Sequence, residues 1–222
     1  MVDTTEDIST LLALGPVIPV IVIDDESQAV PLAQALVDGG LTVLEVTLRT
    51  PAGLSGIKRI AAEVPDAVVG AGTLLTPADV SAAVSAGSRF LVSPGSTDRV
   101  LDAMLDSGVP ALPAAATASE VMALLERGLT HAKFFPAQPA GGVAYLRSLA
   151  GPLPMVRFCP TGGIDATTAP QFLALSNVAC VGGSWMLPAD ALAARDWTRV
   201  QQLAGEASRL PSGDTHAPRA PD

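Results

Sequence analysis

Short runs rich in Val, Leu and Ile recur along the chain, and a helical pattern separates each from the next. Strands are predicted at Val17–Ile23, Val43–Leu48, Val68–Gly72, Phe90–Ser93, Ala111–Pro113, Ala132–Phe135, Val156–Pro160 and Val178–Val181. Successive starts fall roughly 21 to 26 residues apart, the length of one strand, one helix and two short loops. Strands that alternate with helices and read as continuous apolar runs form parallel sheets. Eight such units in 222 residues predict an α/β chain folded as a single (β/α)8 TIM barrel. A doubly wound open sheet is the alternative, but no G-x-G-x-x-G fingerprint follows the first strand.

Punctuation supports the same division. The segments SQAVPLAQALVDGG, TPADVSAAVSAG and TASEVMALLERGL open on Ser or Thr and reach a Gly near their ends, as helix start and stop signals do. Pro31 falls early in its helix, where a missing N–H is tolerated. Asp24, Asp25 and Glu26 are predicted to cap that helix, since negative charge suits a helix N-terminus. An extra helix is expected over Thr5–Leu14, before strand one. With no break in composition, residues 1–207 read as one barrel domain. The segment SRLPSGDTHAPRAPD, 208–222, is rich in Pro and polar residues and is expected to be a disordered tail.

Charge and cysteine content narrow the function. The net charge of −9 argues against a nucleic-acid partner, which needs a basic surface. It leaves open a small anionic substrate, because a pocket is able to be locally positive in an acidic protein. No run reaches the roughly 18 apolar residues of a membrane span. The opening MVDTTEDIST lacks the basic-then-apolar layout of a signal peptide, so a cytoplasmic protein is expected. Cys159 and Cys180 sit in apolar segments and read as buried small residues. His131 and His216 are the only histidines, and no Cys/His cluster has metal spacing, so no metal and no cofactor are expected.

The charged residues in strands carry the chemistry. The chain has two lysines against eleven arginines, and one of the two, Lys133, interrupts an apolar strand in HAKFFPAQ. In the strand VLEVTLRT, alternation puts Glu45, Thr47 and Arg49 on one face. Two structural readings compete with a functional one: a Glu45–Arg49 salt bridge, and an ion pair of Lys133 with Glu45. Burying a pair for stability alone is rarely worthwhile. Arginine would serve such a pair as well, but only lysine is able to lose its proton and attack a carbonyl. Burial and Arg49 as a neighbouring cation are expected to favour the neutral amine. Glycines in CPTGGID and VGGSW, predicted to follow strands seven and eight, suit a phosphate in a fold of this kind. GAGT, Gly70 to Thr73, adds a close-approach segment with a hydroxyl.

The motifs GPVIPV, LEVTLRT, EVPDAVVGAGT, SPGST, KFFPA, GGV, VRFCPTGGI and GGSWMLPADAL occur in order between about Gly15 and Ala207. Through them the chain resembles the bacterial 2-keto-3-deoxy-6-phosphogluconate (KDPG) aldolases, class I aldolases of the Entner–Doudoroff pathway. The resemblance implies a (β/α)8 barrel, a homotrimer, no metal and a Schiff base on Lys133. It implies Glu45 as the proton-transfer residue, Arg49 binding the pyruvate carboxylate and Thr73 beside it. Gly162, Gly163 and Ser184 match the phosphate-binding positions, Pro94 and Phe135 the pocket wall, and Thr161 a contact to the polyol. The implied substrate is a phosphorylated 2-keto-3-deoxy acid, cleaved to pyruvate and glyceraldehyde 3-phosphate. Sibling activities on 4-hydroxy-2-oxoglutarate or the 6-phosphogalactonate epimer are the alternatives. A non-catalytic trimeric sugar-phosphate-binding barrel is the alternative of a different class. Two departures from the family pattern bear on specificity: Pro113 is followed by Ala114 rather than Gly, and Gln138 replaces a frequent Glu after FFPA.

Overall fold

A computed structural model describes residues 7–211. Within them, helix α1 (Ile8–Leu12) precedes strand β1 (Val17–Ile21), and a 3-10 turn over Glu26–Gln28 leads into α2 (Ala29–Asp38). Strand and helix then alternate: β2 (Val43–Thr47), α3 (Ala52–Glu63), β3 (Val68–Gly72), α4 (Pro77–Ser85), β4 (Leu91–Val92), α5 (Asp98–Asp106). Next come β5 (Ala111–Leu112), β6 (Ala114–Ala115), α6 (Ala118–Glu126), β7 (His131–Phe134), α7 (Gly142–Leu149) and β8 (Arg157–Pro160). The series ends with α8 (Ala169–Leu173), β9 (Val181–Gly183), α9 (Ala189–Ala194) and α10 (Trp197–Ser208). Thr5 and Glu6 of the predicted first helix, and 212–222 of the predicted tail, lie outside the described residues. The tail's predicted first residue, Ser208, is instead the last residue of α10.

Several elements start where local chemistry says they must. Thr76 and Thr117 each accept a hydrogen bond from the N–H three residues on. The Asp79 and Glu120 carboxylates in turn accept from the backbone N–H of Thr76 and Thr117, closing capping boxes on α4 and α6. Asp25 accepts from the Ser27 N–H at 2.9 Å and caps the 3-10 turn. The Ser27 hydroxyl, which donates to Asp25 at 2.7 Å, and then the Ser27 N–H hold the Asp25 carboxyl below its ordinary range.

All strand pairings are parallel. Six strands pair in the order β5-β4-β3-β2-β1-β9, and three in the order β6-β7-β8. The predicted fifth strand is thus two short strands separated by Pro113, which has no N–H for the ladder but whose carbonyl accepts from Lys133 at 2.9 Å. Bridges Phe158↔Val178 and Thr161↔Gly182 connect β8 to the β9 segment. The predicted eighth strand is also corrected. Val178 makes only a bridge, and the ladder with β1 begins at Val17↔Val181, so Gly182 and Gly183 belong to the strand and not to a loop after it.

The two strand faces bury different things. One face, with Leu44, Val46, Val69, Ala71 and Leu91, packs against the helices in the larger apolar cluster. The other carries Ile18, Val43, Val68, Phe90, Val92, Leu112, Cys159 and Cys180, closed by Ile8, Leu11 and Leu12 of α1. Parallel neighbours in register point the same way, and Lys133 pairs with Ala114 and Cys159, while Glu45 pairs with Val20 and Gly70. Both charges therefore sit on the inner face, above that second cluster.

Candidate active site

Lys133 and Glu45 meet. Lys133 Nζ donates to Glu45 Oε1 at 2.9 Å and lies 3.2 Å from Oε2, and the two side chains are 6% and 5% exposed. Their strands are far apart in sequence, so β2 and β7 present these residues across the inner face. The Phe135 ring, just beyond β7, lies 5.5 Å from Nζ and offers the cation its π face. Thr47 is also buried, and its hydroxyl donates to the Ile21 carbonyl at 2.9 Å, leaving no unmet polar group on that side of β2.

Arg49 is elsewhere. The predicted alternation holds only as far as the ladder, whose last β2–β3 partners are Thr47 and Gly72. Leu48 still donates to the Gly72 carbonyl at 2.9 Å, and then the chain turns toward α3. Arg49 lies in that turn, exposed, and Glu45 pairs with Lys133 instead of with it. The ion pair that forms is the second structural alternative, Lys133 with Glu45, rather than the first.

The remaining candidates gather at the C-terminal ends of the strands. Thr73 follows β3 with φ 64°, a left-handed conformation that a β-branched residue adopts only under constraint. Pro94 follows β4 and is half-buried. Thr161, buried at 6%, donates its N–H to the Phe134 carbonyl and accepts from the Ala137 N–H at 2.8 Å. Gln138 N–H donates to the Gly162 carbonyl at 3.1 Å, so the segment after β7 is tied to the glycine turn after β8. Gly162 and Gly163 have φ 104° and 75°, a conformation that leaves successive N–H groups available to an anion. Ser184 follows β9 and is exposed.

Three interior glycines shape this site, and only their spacing within strands hints at it in sequence. A Cβ on Gly72 would overlap Glu45, one on Gly182 would overlap the Thr161 hydroxyl, and one on Gly70 would enter the Phe90 ring. Beneath the pair, Cys159 and Cys180 are buried free thiols. A hydrogen bond with Cys159, together with burial, pushes the Cys180 thiol up. Among the described residues no group of three or more His, Cys, Asp or Glu is placed to hold a metal, and no helix is long and apolar enough to cross a membrane.

A parallel α/β sheet that buries an amine against a carboxylate on its inner face has the architecture of a lysine-dependent aldolase. The chain belongs to the KDPG and KHG aldolase family, whose model matches residues 8–203. It is 50% identical over 198 residues to the KHG/KDPG aldolase of Escherichia coli K12, covering 89% of this chain and 93% of that protein. It also resembles the crystal structure of the Legionella pneumophila KDPG aldolase with pyruvate captured at low pH as a covalent carbinolamine intermediate. That match has a TM-score of 0.88 and 45% identity and covers 90% of this chain and 97% of the other. The Zymomonas mobilis ZM4 KDPG aldolase with 3-phosphoglycerate matches at TM-score 0.89 and 47% identity, covering 93% and 97%.

Proposed function

We propose that this protein is a class I aldolase that reversibly cleaves 2-dehydro-3-deoxy-6-phosphogluconate to pyruvate and glyceraldehyde 3-phosphate. The observation that carries the mechanism is the buried hydrogen bond from Lys133 Nζ to Glu45 Oε1 at 2.9 Å. Glu45 takes a proton from the Lys133 ammonium along that bond, and the free amine attacks the C2 ketone. The carbinolamine loses water, with Glu45 returning the proton, and a protonated imine forms. Glu45 then accepts the C4 hydroxyl proton. The C3–C4 bond breaks, its electrons pass into the imine to give an enamine, and the aldehyde leaves. Protonation of the enamine at C3 and hydrolysis release pyruvate and free Lys133.

Substrate contacts follow the family pattern. Gly162, Gly163 and Ser184 take the phosphate, Thr161 the polyol, and Pro94 and Phe135 the pocket wall. Arg49 and Thr73 take the pyruvate carboxylate; for Arg49 this rests on the pattern alone, since its side chain is solvent-exposed. We read the two sheets as one closed (β/α)8 barrel of residues 1–207 with α1 as an extra N-terminal helix. The β8–β9 bridges and the single residue between β5 and β6 support that reading. A tail to residue 222, a homotrimer and a cytoplasmic location complete the proposal. A second activity, on 4-hydroxy-2-oxoglutarate, is favoured by the double name of the Escherichia coli relative. Comparing kcat/KM for substrates with and without phosphate separates the two.

The test is reductive trapping. Borohydride added with pyruvate adds a stable mass to the Lys133 peptide, and Lys133→Arg abolishes both trapping and turnover. An unmodified Lys133 in protein that still cleaves substrate would overturn the mechanism.

A further inference from the structure

The inner face of β3 holds Val68 and then two glycines, Gly70 and Gly72. A strand-interior glycine leaves nothing to pack and weakens the strand, so two in succession call for a reason. At Gly70 the reason is the floor: Phe90 fills the space a side chain would need. At Gly72 the three nearest atoms to an added Cβ all belong to Glu45: Oε1, which it would overlap, Cγ at 2.7 Å and Cδ at 2.8 Å. Backbone conformation does not demand glycine here, since Gly72 is absent from the positive-φ residues. Nor is the backbone free to retreat, because Gly72 pairs with Thr47 and its carbonyl accepts from Leu48 at 2.9 Å. A methyl at this position must therefore displace the Glu45 carboxylate from its 2.9 and 3.2 Å contacts with Lys133 Nζ.

We propose that Gly72 is a positioning residue: its missing side chain is the slot that seats the Glu45 carboxylate against Lys133. The inference rests on the proton-transfer reading of Glu45 given above. β9 repeats the device, where bare Gly182 admits the Thr161 hydroxyl across the β8–β9 bridge. In both places a glycine on one strand is matched to a polar side chain on its neighbour.

A double-mutant cycle on the full chain tests it, with Gly72→Ala, Glu45→Ala and the double variant, read by steady-state cleavage of 2-dehydro-3-deoxy-6-phosphogluconate and by thermal unfolding. Gly72→Ala is expected to lower kcat about a hundredfold, the scale of a ~1 Å misplacement, with KM changed far less. Glu45→Ala empties the slot. Adding Gly72→Ala to it therefore changes kcat by less than about threefold and lowers Tm no further. Near-wild-type kcat in Gly72→Ala, beside a Glu45→Ala slowed to a residual rate, overturns the positioning role alone. Equal losses from Gly72→Ala with and without the Glu45 side chain overturn it too, by showing a general backbone defect. Near-wild-type turnover in Glu45→Ala overturns the proton-transfer reading and takes this inference with it.

Discussion

Removing one partner of the Lys133–Glu45 pair should destabilise the protein far more than removing both. At 2.9 Å, and with an effective dielectric of about 20, the two charges attract by roughly 6 kcal/mol. Desolvating each ion costs several kcal/mol, so the pair as a whole is close to neutral relative to apolar residues of the same shape. A single Lys133→Met or Glu45→Met leaves the surviving group buried at about one-twentieth exposure with no counter-charge. The expected cost is about 3–5 kcal/mol for either single variant. At about 2–4 °C per kcal/mol for a chain of this size, Tm falls by roughly 6–20 °C. The double variant should recover much of that loss, leaving a coupling of at least about 2 kcal/mol in a urea-unfolding cycle. Lys133→Met and the double variant should not turn over substrate, and Glu45→Met should keep only a residual rate. Additive losses, or single-variant losses below about 1 kcal/mol, would refute the reasoning, because either result means that solvent reaches the pair and screens it.

Thr73→Gly should raise stability and lower activity together. It removes the cost of a left-handed β-branched residue, about 1–2 kcal/mol, against about 0.5–1 of added chain entropy, so the net gain is at most about 1.5 kcal/mol and Tm rises by up to roughly 6 °C while kcat/KM falls with the lost hydroxyl. The raised Cys180 thiol predicts an alkaline limb. Above about pH 9, the ordinary range of a free thiol, the unfolded chain releases a proton that the native state keeps, so the unfolded state binds fewer protons and stability falls as pH rises. Urea-unfolding midpoints measured from about pH 7 to pH 10 should drop less steeply in Cys180→Ala than in the wild type.

What the sequence made legible was local or periodic. The helix starts at Thr76 and Thr117 were read from a few adjacent residues, and the structure closes each as a capping box. Lys133 and Glu45 stand out because charges at inward strand positions contradict a core, and they do meet. Arg49 was read as part of the strand, but alternation is a property of the ladder, which stops at Thr47, and nothing in VTLRT marks that stop. The start of β9 was missed for a related reason. VACV is uniformly apolar, and only the pairing of Val17 with Val181, a contact across most of the chain, sets where the strand begins. Gly72 was readable as part of a tight segment, but its occupant comes from another strand. No local pattern names Glu45 as its neighbour.

On the aldolase reading, the placement of the pair also bears on the side from which substrate reaches it. Ile18, Val43 and Val68 lie at or near the starts of β1, β2 and β3, and they pack with Ile8, Leu11 and Leu12 of α1. That end of the inner face is apolar and closed by a helix, and an anionic substrate gains nothing there. Phe90, Cys159 and Cys180 extend the apolar floor upward to the level of the charges. Above them stand Thr161, the Gly162–Gly163 turn and the segment after β7 bonded to it, where free N–H groups and hydroxyls replace hydrocarbon. Access is therefore from the C-terminal ends of the strands, the end at which barrel enzymes keep their chemistry. The strands hold Lys133 and Glu45 in place, and on the aldolase reading the segments above them are left to select the substrate.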